Sequence, residues 1–99
     1  MSVTLKVVIR GDTIRCDASI TEYDGITPLD PDSHLVKLYK PDGVQEGSDE
    51  ISPTYTNPGE YSQLFTLPAD GLPGRWRIRW RETTGGKHGS ADVYFDVIA

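Results

Sequence analysis

The sequence holds one cysteine (Cys16), one methionine, two histidines and no long apolar run, and each shortage closes off a class of protein. A single thiol cannot form an internal disulfide, so a packed core must hold the chain, which fits a reducing compartment better than secretion. No stretch approaches the roughly 18 consecutive apolar residues of a membrane-spanning helix, so no membrane partner is expected. The opening MSVTLKVVIR alternates polar and apolar residues and lacks the basic tip and continuous apolar core of a signal peptide. The expectation is a chain that is cytoplasmic as synthesised, either whole or as a domain of something larger.

Catalytic equipment is equally sparse. His34 opens an apolar run and His88 sits in a glycine-rich turn, so the two histidines share no motif. There is no Gly-x-Ser-x-Gly elbow, and Gly85 to Ser90 lacks the spacing of a phosphate-binding loop. Asp49-Glu50 pairs two carboxylates, but nothing suggests burial that would raise a pKa. Cys16 falls in an apolar phase and reads as a buried, unreactive thiol. The expectation is a non-enzyme with no catalytic residues, no cofactor and no metal site. One metal alternative stays open: the loop Tyr23 to Ser33 gathers Asp24, Asp30 and Asp32, and clustered carboxylates suit calcium. Its spacing matches no helix–loop–helix calcium pattern, Pro28 and Pro31 stiffen it, and aspartates in turns commonly serve local backbone hydrogen bonds. Arg10-Gly11-Asp12 spells the tripeptide read by integrins, but its glycine is also what a turn between two strands requires.

The formal net charge is −5, which argues against a nucleic-acid partner, since phosphate neutralisation needs clustered base. The charge is uneven. Residues 1–74 hold five of the ten Lys/Arg and twelve of the fifteen acids, whereas residues 75–81 hold four arginines and no acid.

Period-two alternation recurs along the chain. Val3, Leu5, Val7 and Ile9 share one face of a first run; Ile14, Cys16, Ala18 and Ile20 share one face of a second. His34 to Lys40 forms a third run, ended by Pro41-Asp42-Gly43. The acidic stretch Val44 to Glu50 reads as an edge segment or loop, and a short strand is expected over Ile51 to Thr56. Asn57-Pro58-Gly59 turns into Tyr61 to Leu67, and Pro68 to Gly74 makes another turn-rich connection. Arg75 to Arg81 reads R-W-R-I-R-W-R, with Trp76, Ile78 and Trp80 inward and four arginines outward. Ala91, Val93, Phe95 and Val97 oppose outward Asp92, Tyr94 and Asp96. Ten glycines and seven prolines punctuate the runs. About seven strands, each with one apolar face, predict a single all-β domain over residues 1–99, an antiparallel sandwich of immunoglobulin-like type with Greek-key connections. A partly open barrel is the alternative.

A Gly85-Gly86 tip would support a primed two-residue turn in the last hairpin. That register sets Arg79 opposite Asp92 and Arg75 opposite Asp96; a two-residue shift pairs Arg81 with Asp92 and Arg77 with Asp96. Either way arginines meet an acid–Tyr–acid row. Arg75, Arg77, Arg79, Arg81 and Tyr94 therefore form the candidate interaction face, Tyr94 being able to stack on a guanidinium. The competing reading is a solvated face that Asp92 and Asp96 neutralise. Four arginines against two carboxylates leave a surplus suited to an acidic protein, including a second copy of this chain.

Taken in order, Gly11-Asp12-Thr13-Ile14-Arg15, Pro28-Leu29-Asp30-Pro31, Pro41-Asp42-Gly43, Gly59-Glu60-Tyr61-Ser62, Gly74-Arg75-Trp76 with Trp80, and Tyr94-Phe95-Asp96-Val97 resemble small immunoglobulin-like proteins encoded in tailed phages and prophages. The resemblance runs from Arg10 to Val97. It implies a virion- or tail-associated structural component, made in the cytoplasm and incorporated into the particle, that mediates protein–protein contact or self-association. It supplies no catalytic residues. Arginine here replaces the less charged outward positions more usual on the tryptophan-bearing strand. The same type of fold also serves adhesion and carbohydrate binding on cell surfaces; Tyr23, Tyr39, Tyr55 and Tyr94 are the aromatics that could build a sugar platform.

Overall fold

Six of the eight strands alternate between a shared core and solvent, and the other two are held to them by backbone pairing. The computed structural model describes residues 2–69 and 71–98. Met1, at the head of the first run, and Asp70, within the Pro68–Gly74 connection, lie outside them. The strands are β1 (Ser2–Arg10), β2 (Thr13–Thr21), β3 (Ser33–Tyr39), β4 (Gln45–Glu50), β5 (Thr54–Asn57), β6 (Glu60–Thr66), β7 (Gly74–Thr84) and β8 (Lys87–Val97). They form two four-stranded antiparallel sheets, ordered β1-β2-β6-β5 and β4-β3-β7-β8. The chain passes from one sheet to the other after β2, β4 and β6.

Both sheets contribute to one core. β2 supplies Ile14, Cys16, Ala18 and Ile20, and β6 supplies Tyr61; β3, β7 and β8 supply Val36, Leu38, Trp76, Ile78, Trp80 and Phe95. Central strands dominate that set, while half-buried Val3, Leu5, Val7, Phe65, Val93 and Val97 close its flanks. Each fully buried large apolar side chain contributes roughly 1.5–3 kcal/mol. The tryptophans also need partners for their indole N–H groups. Trp76 donates to the Leu72 carbonyl at 2.8 Å and Trp80 to Nδ1 of His34 at 3.3 Å. Trp76 stacks on Phe95 with centroids 6.2 Å apart.

Three details depart from the expected strand map. The acidic stretch before Glu50 is a strand, β4, which raises the count to eight. It pairs with β3 through a register shift between Val36 and Leu38, and Gly47, at φ +75°, lies in the shifted part. A kinked, acid-lined edge of this kind resists pairing with other strands. The following strand starts at Thr54 rather than Ile51, because Pro53 has no N–H to give a ladder. Ile9, in phase with Val3, Leu5 and Val7, is 45% exposed at the far end of β1.

The hairpin tip is Gly85-Gly86, with φ of +55° and +78°. Two successive positive φ values are what a type I′ turn demands, and only glycine adopts both without strain.

Candidate functional site

Because Trp76, Ile78 and Trp80 point inward, Arg75, Arg77, Arg79 and Arg81 must point outward from the β4-β3-β7-β8 sheet. The Gly-Gly turn sets their partners on β8: Arg75 faces Asp96, Arg77 faces Tyr94, Arg79 faces Asp92 and Arg81 faces Ser90. This is the first of the two registers open to the sequence. On the other side β3 sets Tyr39 beside Arg77, Lys37 beside Arg79 and Leu35 beside Arg81.

The four arginines divide into two kinds. Arg75 Nε donates to Asp96 at 3.1 Å, and Arg79 binds Asp92 through two bonds of 2.9 and 3.2 Å. These contacts hold both guanidinium pKa values above their ordinary range, and the Arg79 bond pulls Asp92 below the usual carboxylate range. Arg77 and Arg81 form no ion pair among the described residues. Arg77 lies over the Tyr39 ring, 4.4 Å from its centroid, and its buried Nε has no hydrogen-bond partner there. The cation–aromatic contact is therefore to Tyr39, on β3. Tyr94, the expected stacking residue, stands across from Arg77 and is 55% exposed.

Tyr39, Arg77 and Tyr94 thus form one row across three strands. Lys37 joins the face by approaching Asp49 of β4 at 3.7 Å. Together the face carries five cations (Lys37, Arg75, Arg77, Arg79, Arg81) and three carboxylates (Asp49, Asp92, Asp96), a formal surplus of two. The remaining five cations and twelve acids of the chain sum to −7. Neutralisation by Asp92 and Asp96 is real but incomplete. Leu35, Lys37 and Ser90 were silent in the sequence, since only the lateral order of β3, β7 and β8 brings them to this face. The outward phase of β3 was legible; its neighbour was not.

The other candidates separate. Asp24 accepts the Ile26 and Thr27 N–H groups at 2.9 and 2.8 Å, Asp30 accepts the Gly59 N–H and Tyr61 hydroxyl, and Asp32 accepts the Gly85 N–H. The three carboxylates are each tied to a different part of the backbone. Among the described residues no three His, Cys, Asp or Glu side chains converge in a metal-ligand group. Arg10-Gly11-Asp12 is the β1–β2 turn, with Gly11 at φ +58°. Tyr55 packs edge-on against Tyr61 in the other sheet, and Tyr23 sits on the β2–β3 loop, so of the four tyrosines only Tyr39 and Tyr94 share a face. Cys16 is buried within the core, and burial pushes its thiol up to about 12.

One buried group went unread. Glu82 continues the inward phase of Trp76, Ile78 and Trp80, so its carboxylate enters the core's edge opposite His34. It is fully buried, and neither oxygen has a hydrogen-bond partner among the described residues. Burial pushes its pKa up to about 7 and pulls that of His34 down. The alternation signal was available one step beyond Arg81.

No family model, no curated protein and no solved structure matches this chain.

Proposed function

We propose that this chain is a non-catalytic interaction module, a virion- or tail-associated immunoglobulin-like component of a tailed phage or prophage. It docks on acidic protein surfaces, copies of itself included, through the outer face of the β4-β3-β7-β8 sheet. The strand orders β1-β2-β6-β5 and β4-β3-β7-β8, with sheet changes after β2, β4 and β6, agree with a Greek-key sandwich of that type. Cys16 on β2 and Ile78 on β7 both belong to the core, and a version of such a domain without the usual inter-sheet disulfide fits a chain with one cysteine. The phage assignment rests on the ordered motifs from Gly11 to Val97, and capsid, portal or tail genes beside the coding gene are its test.

The observation that carries the docking reading is the positive surplus on one sheet face of an otherwise acidic chain. Opposed potentials of this sort steer association and favour one orientation. Light scattering at rising protein concentration tests it: particle mass should grow at about 0.05 M salt and fall back at about 0.5 M, where screening is several-fold shorter. A strict monomer up to millimolar concentration contradicts the reading.

A carbohydrate-binding role is the second reading, favoured by Tyr39 and Tyr94 sharing a face. Against it, the Tyr39 ring is already covered by Arg77. A glycan array without hits removes it.

A further inference from the structure

Between β3 and β7 the outer face dips into a shallow depression of about 150 Å³, lined by Leu35, Lys37, Tyr39, Arg79, Arg81 and Ser90. Three of those six are cations, and none of the six is an acid. We infer that this depression is a recognition subsite for a carboxylate side chain on an acidic protein segment. The inference rests on the docking role proposed above and names the chemistry of that contact.

The register explains how the donors converge. Lys37 stands beside Arg79, and Leu35, Arg81 and Ser90 lie in one row across β3, β7 and β8. Arg81 forms no ion pair among the described residues, so its planar fork of donors is uncommitted. Arg79 uses Nε and one terminal nitrogen on Asp92, which leaves its other terminal nitrogen. Lys37 lies 3.7 Å from Asp49, beyond hydrogen-bond length, while that same Asp49 oxygen accepts from Gln45 at 2.6 Å. The Ser90 hydroxyl adds a neutral donor. Leu35 and Tyr39 supply the apolar part of the lining beside these donors.

The size and surroundings select the occupant. Small-molecule sites run to about 300–1,000 Å³, so this depression suits one acidic side chain. An extended polyphosphate would run from it toward Asp92 on β8 or Asp49 on β4, the acids that pair with the lining residues Arg79 and Lys37. A protein segment can present one carboxylate here and neutral residues beyond.

The test is a titration of the ¹⁵N-labelled full chain with acetylated hexaglutamate, followed by amide and arginine side-chain shifts. Saturable shifts centred on Leu35, Lys37, Arg79, Arg81 and Ser90 are expected, with affinity about tenfold weaker in Arg81→Gln, the loss of one charged hydrogen-bonding group. Arg15→Gln, on the opposite sheet, should bind as the wild type does. Absence of shifts, or unchanged affinity in Arg81→Gln, overturns the subsite. Shifts centred on Arg75 and Arg77 also overturn it, while leaving the sheet face as the docking surface. Tighter binding of oligothymidylate at the same residues overturns the choice of a protein carboxylate. The docking role has its own readout: hexaglutamate binding in a chain whose mass never responds to salt would sink that role and spare the subsite.

Discussion

Arg79 and Asp92 stand directly opposite each other in the β7–β8 ladder, joined by two hydrogen bonds of 2.9 and 3.2 Å. Four residues along, Arg75 and Asp96 repeat the pairing, and Arg77 lies between them without an acid. The two carboxylates therefore act as a partial mask on the arginine row. Replacing both, in Asp92→Asn/Asp96→Asn, raises the formal surplus of the face from two to four. Hexaglutamate should bind the double variant more tightly, most visibly at low salt. Thermal stability should change little, since exposed pairs contribute little to folding. Unchanged or weaker binding would mean that the row does not contact acids.

Glu82 makes stability depend on pH. Its carboxyl titrates near 4.5 when unfolded and near 7 when folded, so the folded chain holds the extra proton between those values. Its contribution to stability is whole below about pH 4.5 and is lost as the pH rises through about 7. His34, opposite it, has its pKa lowered by burial and works the other way, losing stability as the pH falls. Comparing Glu82→Gln with wild type in denaturant melts isolates the carboxylate. The variant should gain on the order of 2 kcal/mol at pH 8 relative to pH 5, the usual scale for relieving an unpaired buried group. A pH-independent difference between the two proteins would contradict this.

Gly59 is the backbone position least able to change. It is buried with φ +72°, and a Cβ there would come within 2.5 Å of the Ile20 carbonyl oxygen and 3.0 Å of the Pro28 Cβ. Its N–H is held by Asp30 at 2.8 Å, and its carbonyl accepts from Ile20 at 2.7 Å. Gly59→Ala should destabilise by at least ~3 kcal/mol, combining left-handed strain with a backbone clash. Gly43→Ala, at φ +85° but with open space around it, should lose only about 1–2 kcal/mol. Equal losses in the two melts would show that the close packing at Gly59 is not what matters.

Cys16 should behave as an apolar core atom. With the thiol pushed up to about 12 and fully covered, little thiolate forms at pH 8. A disulfide reagent should leave it unmodified in the native chain and react at once in denaturant. Rapid native labelling would place the thiol at the surface.

Much of this fold could be read from alternation alone, because the strands that build the core each bury one face. Trp76, Ile78 and Trp80 inward and arginines outward follow from a seven-residue pattern, and two adjacent glycines decided the hairpin register. β4 escaped because its residues, Gln45 to Glu50, carry no apolar face; its pairing to β3 is what makes it a strand. The mixed character of the arginine row escaped for a different reason. Which arginine meets Tyr39, Lys37 or Leu35 depends on β3 lying beside β7, a contact separated by about forty residues of chain that no local pattern encodes. Glu82 was legible and overlooked, since charge suggested solvent where phase required the interior.

The proposed docking role depends on which face of the molecule meets its partner. A dilution series of ¹⁵N-labelled full chain, from millimolar to micromolar at low salt, reports that face directly through concentration-dependent amide shifts. The shifts should cluster on Lys37, Tyr39, Arg77, Arg81 and Tyr94 and vanish in Arg77→Glu/Arg81→Glu. Shifts clustered instead on the outer residues of the opposite sheet, such as Lys6, Arg15 and Leu64, or spectra that never change with concentration, would contradict it.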